Sequence, residues 1–418
     1  MTTSFWHGFA DMHTVKDHEL VIREGDGAWV TDVSGRRYLD ATAGLWYAVA
    51  GHGRAEIADA AAAQMRRIAA YSSFGAYTTE PTVQLAERVA RMAPMPNAAV
   101  FFTSGGSESV ETAGKLARRY WDVMGQPEKR IIVNREHAYH GMAALGTSLA
   151  GIPLNKAGYG TLVADTVQVG VHDLDAVESL FAARAPEIAA FIAEPVVGAG
   201  GVIPPQGDYL LGLQQLCRQF DVLLIADEVI TGFGRTGQWW GSQRYGIEPD
   251  MITFAKAITS GYVPLGGVVV GPRVRAPFWD EPVPGAIFRH GYTYSGHATA
   301  CAAAMANLDL LEREDLVGRV RALEPAVERE IGRLAASPLV GEVRTVGLTA
   351  AVELSAEARA ANPGAADAVV AAATRHGVLT RNIRGVGLQF SPAFVVTEDE
   401  IAQIADGFDA ALREVAAG

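Results

Sequence analysis

The sequence has little cysteine: Cys217 and Cys301 are the only two such residues among 418. They lie far apart, and neither belongs to a Cys-x-x-Cys pair or to a spacing with histidine that is typical of zinc ligands. We therefore expect no metal site and no disulfide framework, which a chain of this length does not need. Low cysteine content fits a reducing compartment, so the expected location is the cytoplasm.

The sequence also lacks an excess of positive charge and a long apolar run. Its 35 Lys and Arg residues face 47 Asp and Glu residues, giving a formal net charge of −12, so no surface for nucleic acid is expected. The uncharged stretch 257–272 contains glycine and proline and is too short to span a membrane. The first 20 residues have no apolar core of the kind found in signal peptides.

Short apolar runs alternate with helical patterns through the middle of the chain, which predicts an α/β fold with a mainly parallel sheet covered by helices. The strands are expected at 99–102, 131–133, 190–193, 222–226 and 251–254. A hairpin is expected at 28–40, and beyond residue 307 helical patterns (316–335, 364–375) alternate with strand patterns (343–354, 387–390). These patterns predict a large domain at 52–306 and a smaller α+β domain formed by 1–51 and 307–418.

Two neighbouring strand patterns each deliver one ionisable residue to the end of a strand. The run VLLIADEV places Asp227 at the carboxyl end of a buried strand, where open α/β folds bind ligands, although a single aspartate there could equally cap a turn. The run MITFAK then delivers Lys256. A desolvated lysine can form a Schiff base with an aldehyde, and an aspartate can keep a pyridine nitrogen protonated. Together the two residues predict a pyridoxal phosphate (PLP) site.

The segments DEVITGFGRTG and PDMITFAKAITSGYVPLGG resemble the signature of class III (subgroup II, omega) aminotransferases, which are PLP enzymes of fold type I. The resemblance extends from Gly44-Leu45-Trp46 to Arg381. It implies that Lys256 holds PLP covalently and that Asp227 contacts the ring nitrogen. It also implies an activity: transfer of an amino group from an omega-amino acid or primary amine to a keto acid, with pyruvate as the expected acceptor.

A glycine-rich turn leads into a helix in the segment FFTSGGSESVETAGKLAR. Free N–H groups and the positive end of the helix dipole suit a phosphate, although Ser107 with Glu111 could instead cap the helix. The resemblance implies that Gly105, Gly106 and Ser107 hold the PLP phosphate. Thr293, in HGYTYSGH, would reach the phosphate of the neighbouring subunit. We therefore expect a homodimer or a dimer of dimers.

The cofactor ring is expected to lie between two side chains. In isolation, Tyr139 in EHAYHG is typical of a core or surface aromatic residue, but the resemblance implies that it stacks on one face of PLP and Val229 on the other. His140 has no evident partner in the sequence. Glu194, in EPVVGAGG, either lines the site or anchors a turn.

Arg381, in GVLTRNIRGVGLQFSP, aligns with the family arginine that binds the substrate carboxylate and swings away for donors lacking one. The alternative is that Arg381 and Arg384 are solvated loop charges. Trp46 matches an aromatic wall of the substrate pocket, and we consider Phe74 and Tyr77 as further walls.

One departure from the family pattern bears on the substrate. Ile230 stands where enzymes acting on gamma-aminobutyrate or ornithine commonly have a glutamine that bonds the PLP hydroxyl. This difference indicates the omega-amino acid or amine:pyruvate branch.

Motifs of other enzyme classes are either absent or lack the neighbouring secondary structure that they require. The pattern Gly232-x-Gly234-x-x-Gly237 matches a dinucleotide-binding expression, but no apolar helix follows it. No phosphate-loop, Gly-x-Ser-x-Gly or His-Glu-x-x-His motif occurs. Two alternatives to an aminotransferase stay open: a PLP-dependent aminomutase or decarboxylase on the same fold, and a non-catalytic PLP-fold protein with a binding or regulatory role.

Overall fold

The computed structural model describes residues 3–280 and 283–417. The strands are β1 (Ile22–Asp26), β2 (Trp29–Asp32), β3 (Arg37–Asp40), β4 (Ala99–Thr103), β5 (Ile131–Arg135), β6 (Thr166–Val169), β7 (Ile188–Ala193), β8 (Leu223–Asp227), β9 (Met251–Phe254), β10 (Gly266–Val270), β11 (Val340–Val346), β12 (Thr349–Leu354), β13 (Val378–Leu379), β14 (Asn382–Ile383) and β15 (Gly387–Phe390). The α-helices are α1 (Met12–Val15), α2 (Ala43–Trp46), α3 (Ala55–Arg67), α4 (Glu80–Met92), α5 (Gly106–Val123), α6 (Ala144–Ser148), α7 (Leu174–Arg184), α8 (Tyr209–Gln219), α9 (Gly241–Arg244), α10 (Pro272–Trp279), α11 (Ala298–Arg313), α12 (Leu316–Gly332), α13 (Ala356–Ala361), α14 (Ala365–Arg375) and α15 (Glu398–Ala417). Short 3-10 helices cover Pro153–Asn155, Ala185–Glu187, Lys256–Thr259 and Arg333–Ala336.

A seven-stranded sheet in the order β4-β10-β9-β8-β7-β5-β6 forms the centre of the fold. The strands from β5 to β9 pair in parallel, and β10 runs antiparallel to both of its neighbours. The mainly parallel sheet and its five expected strands are therefore confirmed. The sequence analysis did not assign β10, because the glycines that precede and begin it interrupt the apolar pattern.

Helices cover both faces of this sheet, which explains why its strands are nearly continuous apolar runs. On one face, Val110 and Ala117 of α5 belong to the same buried cluster as Ile192 and Ile225 of β7 and β8. On the other face, α7 and α8 pack against the alternate residues of the same strands, including Phe191. Alternate strand residues thus serve two separate cores.

Two four-stranded sheets flank the central one, in the orders β1-β2-β3-β13 and β11-β12-β15-β14. The expected hairpin at 28–40 is present as β2 and β3. The strand pattern at 343–354 forms an antiparallel hairpin, β11 and β12, because Gly347 between them adopts a left-handed backbone with φ of 55°.

The two ends of the chain meet where β13 pairs in parallel with β3. The expected boundary at 306/307 falls within α11, and the division into domains stays a prediction. Within residues 3–280 and 283–417, no helix has both the length and the apolar character needed to cross a bilayer.

The topology also positions the candidate site. Strands β8 and β9 are parallel neighbours, with Asp227 opposite Thr253 in the register. Asp227 is the last residue of β8, and Lys256 lies two residues beyond the end of β9. Because parallel strands end at the same edge of a sheet, both side chains reach the edge at which α/β folds bind ligands.

Candidate active site

A cavity of about 430 Å³ lies at this edge of the central sheet. Its walls include most of the residues expected from the sequence: Gly105, Gly106, Ser107, Tyr139, Asp227, Val229 and Lys256. Glu194, His140 and Ile230 also line it, as do Leu45 and Tyr47. The structure therefore brings together residues from segments that are far apart in the sequence.

The Asp227 carboxylate is held by three donors and is 4% exposed. Oδ2 accepts a hydrogen bond from His140 Nδ1 at 2.6 Å, while Oδ1 accepts from Thr253 Oγ1 at 2.9 Å and from the Val229 N–H at 3.2 Å. The Nε2 atom of His140 is buried without a partner among the described residues. The network fixes the orientation of the carboxylate toward the cavity.

Lys256 begins the short 3-10 helix Lys256–Thr259, and its backbone has a positive φ of 49°. Such a conformation is uncommon for a residue with a side chain and clusters at functional sites. Burial lowers the pKa of Lys256 to about 8, because a low-dielectric environment disfavours the ammonium ion; the carboxylates of Asp227 and Glu194 oppose this shift. The ε-amino group can therefore be neutral near physiological pH.

The glycine-rich turn after β4 ends at the amino terminus of α5. Gly105 is the N-cap and has no side-chain cap, and Glu111 accepts instead from the Leu145 N–H at 2.6 Å, so Ser107 and Glu111 do not cap this helix. A Cβ atom on Gly106 would lie 2.9 Å from a methyl group of Val229. The absence of side chains leaves room for a phosphate at the first N–H groups of the helix.

Tyr139 and Glu194 are joined through the backbone. The Tyr139 N–H donates to Glu194 Oε1 at 3.0 Å, and the Gly198 N–H donates to Oε2 at 2.9 Å. Burial raises the pKa of Glu194, which contributes a carboxyl group to the cavity wall as well as anchoring this turn. Both interpretations of Glu194 that the sequence left open thus apply.

Arg381 is partly buried, so it is not a fully solvated loop residue, and it acts electrostatically on Lys256 without being part of the cavity wall. Its positive charge opposes the burial that raises the pKa of Tyr139 and adds to the burial that lowers the pKa of Lys256. Nearby arginines have other partners: Arg384 donates to His137 Nδ1 at 2.8 Å, and Arg235 to the carbonyl oxygens of Leu348 and Pro392.

Other expected site residues do not line the cavity of the single chain. Trp46 is 2% exposed and packs in a buried cluster with Ile230, while its neighbours Leu45 and Tyr47 face the cavity. Thr293 is exposed in a turn. Phe74 and Tyr77 are 53% and 63% exposed and also lie outside the cavity wall. The roles of these residues stay predictions.

The donor set fits PLP. A buried lysine with a low pKa can bond an aldehyde, a fixed carboxylate can meet a pyridinium, and a glycine-lined helix terminus can receive a phosphate. These three features converge on one cavity.

Comparison with known proteins agrees with this chemistry. A family model described as aminotransferase class-III matches residues 12–412. The chain belongs to the class III aminotransferases. It is therefore a PLP-dependent transaminase of the α/β fold expected from its sequence, and the recognition of its family is confirmed.

Several similar proteins are transaminases. A putrescine–pyruvate aminotransferase of Pseudomonas aeruginosa is 37% identical over 92% of this chain and 88% of its own length. An (S)-enantioselective omega-transaminase from Thermomicrobium roseum is 38% identical, with a TM-score of 0.93 over 98% of this chain and 96% of the other. The PLP-bound amine transaminase of an uncultivated Pseudomonas species is 36% identical, with a TM-score of 0.92 over 99% of each chain.

Proposed function

We propose that this class III aminotransferase moves an amino group from a primary amine or omega-amino acid to pyruvate in two half-reactions. The observation that carries the proposal is the placement of a low-pKa lysine and a fixed aspartate, Lys256 and Asp227, at neighbouring strand ends of one cavity. The names of the relatives, which include a putrescine–pyruvate aminotransferase, support the choice of substrates.

When bound, PLP supplies an aldehyde for covalent attachment and a ring that accepts electrons from the reacting carbon. Lys256 Nζ would hold the cofactor between turnovers, and its pKa of about 8 gives a neutral fraction of the amine that can act as nucleophile and base. The same Nζ would also carry the proton that leaves the substrate carbon during the transfer.

The other cavity residues orient the cofactor. Asp227, held by His140 and Thr253, keeps the ring nitrogen protonated. Gly105, Gly106 and Ser107 bind the phosphate at the amino terminus of α5. Tyr139 and Val229, which both line the cavity, would hold the cofactor ring between them.

Arg381 binds the carboxylate of the keto acid through two N–H groups and moves away for a neutral amine, which is held instead by apolar walls. Within the part of the chain that the structure describes, its guanidinium makes no hydrogen bond or ion pair with another residue. That leaves its N–H groups available to a substrate. Trp46, behind Ile230, shapes the apolar side of the pocket.

We further propose that two copies of the chain form the active unit, with Thr293 of each completing the phosphate site of the other. Thr293 and Tyr294 are exposed beside a second exposed aromatic residue, Phe74, whose ring fills the space next to Gly291. An aromatic surface of this kind is typical of an interface. Both cysteines are free and buried, which supports a reducing cytoplasmic location.

A donor panel tests the activity. The PLP-loaded enzyme is incubated with pyruvate and putrescine, an omega-amino acid or n-butylamine, and alanine is quantified by mass spectrometry. Alanine formation equal to donor consumption is expected. Carbon dioxide release or an isomeric amine, without alanine, would instead favour the decarboxylase or aminomutase alternative.

A further inference from the structure

Arg381 lies opposite a residue with a polar side chain, Gln389, in the pairing of two strands. Strands β14 and β15 pair Asn382 with Leu388 and Ile383 with Gly387, and the same register places Arg381 opposite Gln389. The Gln389 N–H donates to the Arg381 carbonyl at 3.2 Å, which continues this pairing. Directly opposite residues of an antiparallel pair share one face, with Cβ atoms about 4.5–5.5 Å apart.

That face is the one turned toward the cavity. Gln389 also pairs with Ala351 of β12, and Ala351 packs in the buried cluster that contains Trp46 and Ile230. Ile230 in turn lines the cavity. Gln389 therefore lies behind the substrate side of the site, next to the cation proposed to bind the carboxylate.

Only one of the two polar atoms in the Gln389 side-chain amide is hydrogen-bonded. Its Nε2 donates to Ser391 Oγ at 2.6 Å, but Oε1 is buried and receives no hydrogen bond from any described residue. The residue is 0% exposed. Orphaned acceptors of this kind are rare because a buried oxygen without a donor is destabilising. Arg381, the residue opposite Gln389 in the strand pairing, carries five N–H donors and no acceptor.

We infer that Gln389 is a positioning residue whose amide oxygen accepts a hydrogen bond from Arg381 when a neutral amine occupies the pocket. In the structure the Arg381 charge lies near enough to Lys256 and Tyr139 to favour a lower pKa for both, which is the first position of the cation. The orphaned Oε1 marks the second position. The inference rests on the proposed function, because it presumes that Arg381 is the carboxylate-binding residue.

Two positions of the Arg381 side chain would let the same pocket bind either a carboxylate substrate or a neutral amine. A carboxylate draws Arg381 toward Lys256, and a neutral amine enters more easily when Gln389 holds the cation aside. Strengthening the hydrogen bond to residue 389 should therefore disfavour pyruvate, while removing it should disfavour the neutral amine. Opposite effects on the two half-reactions distinguish this role from a structural one.

The test uses two variants of the PLP-loaded enzyme in which the new side chain at position 389 is similar in length to glutamine. The value of kcat/KM for each half-reaction is measured by stopped-flow absorbance. Gln389→Met removes the acceptor and should raise kcat/KM for pyruvate about threefold to tenfold while lowering that for n-butylamine by a similar factor. Gln389→Glu adds a negative charge and should lower kcat/KM for pyruvate about tenfold or more, with n-butylamine retained.

Thr349→Val is the matched control. Thr349 belongs to β12 of the same sheet, is 2% exposed, and has an orphaned Oγ1, but it does not pair with Arg381. In Thr349→Val, kcat/KM for each half-reaction should match that of the parent enzyme. Thermal unfolding of each variant verifies that it is folded.

Two results would overturn the inference: both half-reactions falling together in the Gln389 variants, or neither changing. An Arg381→Ala variant, measured in parallel, separates this failure from that of the proposed function. If Arg381→Ala leaves pyruvate kinetics unchanged, the carboxylate site itself is wrong. If Arg381→Ala impairs pyruvate use while Gln389→Glu does not, only the role of Gln389 is wrong.

Discussion

His140 donates a hydrogen bond from Nδ1 to Asp227 Oδ2 at 2.6 Å, where the two side chains are 0% and 3% exposed. The pair joins the loop after β5 to the end of β8 across 87 residues of sequence. With Thr253 and the Val229 N–H, it leaves the carboxylate one fixed orientation. The carboxylate proposed to face the cofactor ring is thus oriented by the protein itself.

Replacing the Asp227 charge should slow the reaction without unfolding the protein. Asp227→Asn keeps the shape but cannot stabilise a pyridinium, so we expect kcat to fall by roughly two orders of magnitude, or about 3 kcal/mol of barrier. Steady-state alanine formation measures this loss. Asp250→Asn is the control, because Asp250 is a partly buried carboxylate that accepts from the Leu224 N–H, outside the cavity wall. A near-parental rate for Asp227→Asn with PLP bound would assign this residue a structural task.

The rate of cofactor uptake should follow the ionisation of Lys256. Only the neutral amine attacks the PLP aldehyde, and burial lowers the pKa of Lys256 to about 8. The rate at which cofactor-free enzyme forms its visible absorption band should therefore rise through about pH 8 and then level off. N-acetyl-lysine methylamide in solution is the reference, with a midpoint near 10.4. A midpoint for the enzyme close to this reference would contradict the assigned environment.

Arg381→Ala should affect one half-reaction. Loss of a charge-assisted contact with the carboxylate should cost about 2–3 kcal/mol and so lower kcat/KM for pyruvate by roughly thirtyfold to 150-fold. The half-reaction with n-butylamine should change little. Arg384→Ala is the comparison, since Arg384 is bonded to His137. Equal losses in both half-reactions, or none for pyruvate, would show that Arg381 does not bind the carboxylate.

The phosphate cradle depends on the missing side chain of Gly106. In a Gly106→Ala variant the new Cβ would lie 2.9 Å from Val229 and displace it toward the ring. We expect PLP to bind about tenfold more weakly, or about 1.4 kcal/mol, as measured by fluorescence titration. Gly332→Ala, at the end of α12 with open space around it, should leave the Kd unchanged. Unaltered affinity in Gly106→Ala would place the phosphate elsewhere.

The sequence was most informative where chemistry follows directly from a local pattern. Asp227 and Lys256 each come after a short buried strand, and the parallel pairing of β8 and β9 then places them at one edge. The glycine turn before α5 was similarly evident. Such features depend on residues adjacent in the chain, so strand periodicity and turn chemistry suffice to predict them.

Long-range partners were not predictable in the same way. Nothing near His140 indicates its bond to Asp227, and nothing near Arg381 indicates an orphaned amide at Gln389, because both relationships arise from the packing of distant strands. The proposed role of Thr293 is also long-range, because it requires a second chain, which a single sequence does not describe.

The central claim is that Lys256 is the residue that binds PLP, and it has a direct test. The chain has five lysines: Lys16, Lys115, Lys129, Lys156 and Lys256. Borohydride reduction of the PLP-loaded enzyme, followed by peptide mass spectrometry, should place the reduced cofactor on Lys256. Lys256→Ala should take up no reduced label and form no alanine, while remaining folded. Label on another lysine, or alanine production by Lys256→Ala, would contradict the account.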